Sequence, residues 1–298
     1  MDIAIIGAGK WGQALYHAFS QNNNVVISSR NKKDIDNFVS IEEALKREYL
    51  IITIPAQAVS KWLNENKLNP NCNVLVASKG IETLSGRFLH DIYSEHINKN
   101  NIAFLSGPSF ASEVRKSLPT ALIVSSFNSK LAQKYCDAFP DFIKGYISQD
   151  VIGAEVAGAY KNVIAIASGI CEGLELGYNA RAALISRGLV EMSRLGVSLG
   201  ADIETFLSLG GSGDLFLTST SELSRNFRVG LGLASGKNID DILNDIGEVA
   251  EGIGTAKALY KLSKDNNVYL PIANEVYSII AKNKNPNESL LELLNNKV

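Results

Sequence analysis

Six short runs rich in valine, isoleucine and leucine recur through the first half of the chain, at 2–7, 24–29, 49–55, 73–78, 101–106 and 120–126, with helix-patterned stretches between them. Near-continuous apolar runs of this length suit strands covered on both faces, which requires helices above and below a parallel sheet. One helix start is written out as Ser-x-x-Glu at Ser40–Glu43, where a serine cap and a glutamate satisfy the first orphan amides. From about Asp150 the strand signals fade. Helical patterns follow at 150–174, 180–199, 250–265 and 272–283, punctuated by "GGSGD" and Pro271. A chain of 298 residues is comfortable as two domains, so we expect an α/β domain over 1–148 and an all-α domain over 149–298.

The totals exclude several classes of function. Lys and Arg number 29 against 31 Asp and Glu, a net charge of −2, which supplies no field to attract a polyanion, so no nucleic-acid partner is expected. The cysteines Cys72, Cys136 and Cys171 are scattered and form no CxxC pair, and His17, His90 and His96 have no HxH or HxxxH spacing. A metal is therefore not indicated, and the cysteine usage fits a reducing compartment. No apolar run approaches the roughly 20 residues of a membrane span, and the N-terminus enters a strand pattern directly. The expectation is a soluble, cytoplasmic protein.

"DIAIIGAGKWGQAL" places Gly7, Gly9 and Gly12 in G-x-G-x-x-G spacing between a strand and a helix. The first glycine permits the tight turn, the second lets backbone approach a pyrophosphate, and the third lets helix and strand pack closely. The first half thus reads as a Rossmann-like dinucleotide-binding domain with a mostly parallel, doubly wound sheet. An NAD fingerprint expects an acid at the end of the second strand. Here "VVISSRN" offers Arg30 instead. An arginine there pairs with a 2′-phosphate or stacks on adenine, which favours NADP and leaves NAD open.

A dinucleotide site does not fix a reaction, so the remaining polar clusters must supply it. Lys79 follows the strand run 73–78, and "SGPSF" with Ser109 follows the next one, both at the sheet edge where ligands bind. No G-x-S-x-G elbow occurs, which argues against a serine hydrolase. In the second half Ser224, Arg225 and Asn226 precede a helix pattern. A hydroxyl, a forked guanidinium and an amide at a helix N-terminus can hold a phosphate dianion, although a plain helix cap with a surface arginine has the same sequence.

Within "GAEVAGAYKNVIAIASG" stands Lys161, the only basic residue between Lys144 and Arg181. On a helix its neighbours are Ala157, Gly158, Ile164 and Ala165, a small apolar face with room for a ligand and little water. Desolvation lowers a lysine's pKa, whereas a carboxylate such as Asp214 would hold it in place and pull the other way. A lysine so poised can exchange a proton with a substrate hydroxyl.

Taken together, "GAGKWGQAL", "SKGIE", "GPSFASEV", "EVAGAYKNVIAIASG", "NARAALISRGLVEMSRLG", "GGSGDLFLTSTSELSRN" and "EVAEGIGTAKA" resemble the bacterial NAD(P)-dependent glycerol-3-phosphate dehydrogenases over nearly the whole chain. The resemblance implies reversible reduction of dihydroxyacetone phosphate to sn-glycerol 3-phosphate, a precursor of glycerophospholipids. It implies that Lys161 is the catalytic proton acceptor in alcohol oxidation, that Lys79 touches substrate and cofactor, and that Asp214 positions the catalytic lysine. Gly107, Ser109, Ser224, Arg225 and Asn226 match substrate contacts. Lys10, Trp11, Arg30, Ala111, Arg225, Val249 and Glu251 match cofactor contacts. Members of the family are often homodimers.

The chain departs from the family's pattern at Lys10, where small residues are usual, at Gln13, where Thr or Ser is common, and at Ser219, which replaces a frequent cysteine. The stretch between Arg30 and "YLIITIP" is also short by one loop-sized segment. These changes bear on the rim of the cofactor site. Two rivals have other predictions: a 3-hydroxyacid dehydrogenase of similar build would need a carboxylate receptor, and a non-catalytic NADP-binding regulator would bind cofactor without turnover.

Overall fold

The computed structural model describes residues 1–295. Seven strands form one sheet: β1 (Asp2–Ile6), β2 (Asn24–Ser28), β3 (Tyr49–Ile52), β4 (Asn73–Val76), β5 (Ile102–Ser106), β6 (Thr120–Ser125) and β7 (Ile143–Ser148). Their order is β2-β1-β3-β4-β5-β6-β7. Side chains alternate between two apolar cores, Ile3, Ile5, Ile27 and Leu75 on one face, Ala4, Ile6, Val26 and Val76 on the other. Coverage of both faces is what removes the polar alternation from these strands.

β6 runs antiparallel to β5 and β7 returns parallel to β6. Only a short helical turn, Ala111–Val114, lies between β5 and β6, in place of the full helix that usually crosses between parallel strands. β7 is absent from the sequence reading. Its residues "IKGYIS" leave Tyr146 and Ile147 about half exposed at the sheet edge, so the apolar run that marks a covered strand never develops. The shortened stretch after Arg30 is resolved in structural terms as well. Phe38 makes a single parallel bridge to Ile27 on the outer edge of β2, where the usual strand order of such sheets has a full third strand.

The chain divides into two compact units. One comprises Met1–Lys79 with Phe88–Ala154, and the other comprises Gly80–Arg87 with the chain from Glu155 onward. In the second, Lys261 Nζ donates to Ser85 O at 3.4 Å, a tie for the short excursion that nothing in its sequence announces.

The second unit is helical and built about the central helix Val151–Gly173 from Glu155 onward; the first turn of that helix belongs to the first unit, where Asp150 Oδ1 caps it by accepting from Gly153 N at 2.8 Å. Small residues along the helix let backbones meet: a β-carbon at Gly169 would stand 2.0 Å from Phe227 O, and one at Gly230 would stand 2.1 Å from Ile166 O. That explains the glycine and alanine of the run around Lys161, because any larger side chain at Gly169 would push the Arg225–Ala234 helix away.

Candidate active site

In the first unit the glycine loop lies where the strand order reverses, with β2 on one side of β1 and β3 on the other, the crevice that receives ligands in open α/β sheets. Gly7 has φ of 112° and donates to Ser28 O at 2.8 Å. A β-carbon there would stand 2.5 Å from Thr53 Oγ1, and one at Gly12 would stand 1.8 Å from Gly7 O. At Gly9 a β-carbon would meet nothing within 4 Å. Packing thus demands the outer two glycines, and open space surrounds the middle one, the N-cap of α1 (Lys10–Phe19), where no side chain caps the helix. A cradle that a β-carbon would fill, at the positive end of a helix, fits a dinucleotide pyrophosphate.

The other cofactor-side residues follow the same pattern. Lys10 is exposed and Trp11 half-buried at the start of α1. Arg30 is exposed just past β2, and Lys79 is half-buried just past β4. After β5 come Gly107, with φ of 112°, and Ser109, whose hydroxyl donates to Gly107 O at 3.2 Å. Ala111 opens the next helical turn. All follow the carboxyl ends of mutually parallel strands, so the sheet gathers them along one edge. Gln13, unusual at its position, donates its amide to Ala8 O at 3.0 Å and braces the loop.

In the second unit Lys161 is 7 % exposed and Asp214 1 %. Lys161 Nζ donates to Asp214 Oδ1 at 2.5 Å and to Thr218 Oγ1 at 3.0 Å. Asp214 opens the helix Asp214–Ser219 directly after a π-type turn, Leu209–Gly213. That turn needs the glycines of "GGSGD": a β-carbon at Gly211 would stand 2.4 Å from Phe206 O. Taking two charges out of water is costly and is offset only by close mutual contact, so this geometry holds the ammonium in one place.

Ser224 caps the Arg225–Ala234 helix, its Oγ accepting from Phe227 N at 3.3 Å. The cap reading is therefore correct for its oxygen, and the hydroxyl hydrogen remains a donor. Arg225 Nη1 lies 3.5 Å from Glu248 Oε2. Asn226 Nδ2 donates to Asn162 Oδ1 at 2.9 Å, and Gly252 N donates to Asn226 Oδ1 at 3.0 Å. Val249 is exposed and Glu251 half-buried at the start of the Glu251–Asp265 helix, beside that last bond.

Two members of this cluster escaped the sequence reading. Thr218 stands one helical turn after Asp214, and Asn162 directly follows Lys161. Spacing marks both as neighbours of singled-out residues, but only the fold turns them inward. The cysteines offer no rival chemistry: burial pushes the Cys72 and Cys136 thiols up to about 11 and raises Cys171 as well, which keeps them protonated. Among the described residues no cluster of His, Cys, Asp and Glu could hold a metal, and no helix is long and apolar enough to cross a membrane.

A glycine cradle at the switch point of a parallel sheet, carried on one chain with a buried lysine–aspartate pair, defines a two-domain oxidoreductase that uses a nicotinamide dinucleotide. Family profiles described as NAD-dependent glycerol-3-phosphate dehydrogenase N-terminus and C-terminus match residues 32–132 and 150–291. The chain belongs to the NAD(P)-dependent glycerol-3-phosphate dehydrogenase family. It is 58 % identical over 294 residues to a glycerol-3-phosphate dehydrogenase of Sulfurimonas denitrificans, covering 99 % of each. It is 55 % identical to one of Campylobacter jejuni subsp. doylei, again covering 99 % of each. The crystal structure of glycerol-3-phosphate dehydrogenase from Coxiella burnetii superposes with a TM-score of 0.92 at 31 % identity, covering 99 % of this chain and 98 % of that one.

Proposed function

We propose that this chain reduces dihydroxyacetone phosphate to sn-glycerol 3-phosphate, reversibly, with NADPH as the favoured reductant and NADH as the second. The observation that carries the reading is the single buried hydrogen bond between Asn162 and Asn226. It joins the residue after Lys161 to the residue after Arg225, so a proton donor and a phosphate receptor are built as one unit. A small substrate that carries both a reducible carbonyl and a phosphate would engage both groups. The carboxylate of a 3-oxo acid has no need of a phosphate receptor.

The dinucleotide, when bound, supplies the hydride. In reduction, protonated Lys161 gives its proton to the carbonyl oxygen, and in oxidation the neutral amine takes it from the hydroxyl. Asp214 and Thr218 fix the amine and stabilise its charged form. Arg225, the Ser224 hydroxyl and the N-terminal amides of their helix hold the phosphate, with Gly107, Ser109 and Asn226 as further substrate contacts. Arg225 exchanges its Glu248 partner for the dianion. Lys79 polarises charge at the sheet edge. Gly7, Gly9, Lys10, Trp11, Gly12, Ala111, Val249 and Glu251 hold the cofactor, and Arg30 takes the 2′-phosphate. The reading extends to a cytoplasmic homodimer that feeds glycerophospholipid synthesis, and sedimentation would check the dimer.

Steady-state oxidation of NADPH and NADH with dihydroxyacetone phosphate, and with a 3-oxo acid beside it, tests the proposal. Turnover with the ketotriose phosphate and none with the acid is expected. Lys161→Ala should slow turnover by about 10²–10⁴-fold while NADPH still binds. Activity confined to the 3-oxo acid, or a Lys161→Ala variant of near-normal rate, would reject it.

A further inference from the structure

The central helix is mostly apolar around its circumference. Close packing at Gly169 sets which face of this helix meets the Arg225–Ala234 helix, and directional polar contacts refine that roll at the level of Lys161. Besides Glu155 and Ser168, three successive buried polar residues interrupt the apolar surface near the middle of the helix, about 100° apart around the axis, and each of the three reaches a different helix. Lys161 reaches the Asp214–Ser219 helix and Asn162 the Arg225–Ala234 helix. Tyr160, fully buried, donates its hydroxyl to Glu191 Oε2 at 2.9 Å on the Gly177–Ser198 helix.

Glu191 is itself fixed. It is 3 % exposed and accepts from Ile272 N at 2.9 Å and Ala273 N at 3.4 Å, the first amides of the Pro271–Lys282 helix, which has no side-chain cap of its own. The bracket therefore runs from one helix N-terminus through a buried carboxylate to the residue beside the lysine. We propose that Tyr160 and Glu191 are positioning residues for proton transfer, setting the roll of the central helix so that Lys161 meets Asp214 and the substrate oxygen. The proposal rests on the role given to Lys161 above. Small errors of placement are costly in catalysis, since a shift of about 1 Å can lose about 10²-fold in rate.

The test is a set of variants whose folding is verified by thermal melting. Tyr160→Phe, which deletes one hydroxyl, should lower kcat about tenfold and leave KM for dihydroxyacetone phosphate and for NADPH within about twofold. Glu191→Gln keeps an acceptor for the helix amides and a partner for the tyrosine, and should retain kcat within about threefold. In a Lys161→Ala background Tyr160→Phe should change nothing further, because the group it positions is gone. Parental kcat in Tyr160→Phe beside a crippled Lys161→Ala would overturn this proposal alone. So would an equal further loss in the Lys161→Ala background, which marks a merely structural role. Near-normal turnover of Lys161→Ala by itself would remove the lysine's role and this proposal with it.

Discussion

Burial makes each polar atom near Lys161 either useful or costly. The Ser219 hydroxyl is fully buried beside Thr218 and has no hydrogen-bond partner, although its carbonyl accepts from Ser168 Oγ at 2.7 Å. An unmet hydroxyl costs about 1–3 kcal/mol. Ser219→Cys, which replaces the hydroxyl with a slightly larger, weakly polar thiol, should therefore raise the melting temperature by a few degrees, near 1 kcal/mol, with kcat unchanged. A drop on melting would show that the hydroxyl has a partner after all. At this scale the sequence set Lys161 apart, because an isolated cation in an apolar run is unusual, and the structure finds it buried and paired. The sequence was a poor guide to Thr218 and Asn162, whose residue types are ordinary and whose roles arise only from the direction in which a helix turns them.

One helix here is held at its start by a group from another helix. Glu191 caps the Pro271–Lys282 helix from the middle of another element. Burial pushes its carboxyl from the ordinary 4.5 up to about 7, against the opposing pull of the Ile272 and Ala273 amides, the Tyr160 hydroxyl and the Arg194 charge. The folded chain then keeps a proton that the unfolded chain has released. This contribution to stability is complete below pH 4.5 and is lost as pH rises through about 7, a change of about 3 kcal/mol. Urea midpoints should fall between pH 5 and 7.5, and Glu191→Gln should flatten the fall. An unchanged slope would contradict the assignment. Long helices and covered strands were legible as elements, since periodicity and apolar runs report burial directly. β7 was not, because an edge strand with exposed residues carries no such run, and neither was the antiparallel direction of β6, which an apolar run does not encode.

For the whole molecule, the sheet edge must choose between two nearly identical dinucleotides. On the proposed reading Arg30, exposed just past β2, makes that choice. NADPH should raise the melting temperature more than NADH at equal concentration, and Arg30→Ala should abolish the difference. Saturation at about 100 times Kd corresponds to about 2.7 kcal/mol, enough to read as a shift of several degrees. Equal shifts in the parent would remove the arginine from cofactor choice. The sequence by itself determined that a doubly wound sheet precedes a helical domain, that a dinucleotide loop opens it and that one lysine is out of place, because each of these is written in local spacing and composition. Only the tertiary structure decided that Thr218 joins Asp214 at that lysine, how the Asn162–Asn226 bond ties it to Arg225, that Glu191 caps a distant helix, and that Gly80–Arg87 joins the second unit. Those contacts join residues far apart in the chain, and the energy that selects them comes from burying polar groups together, which no local pattern records.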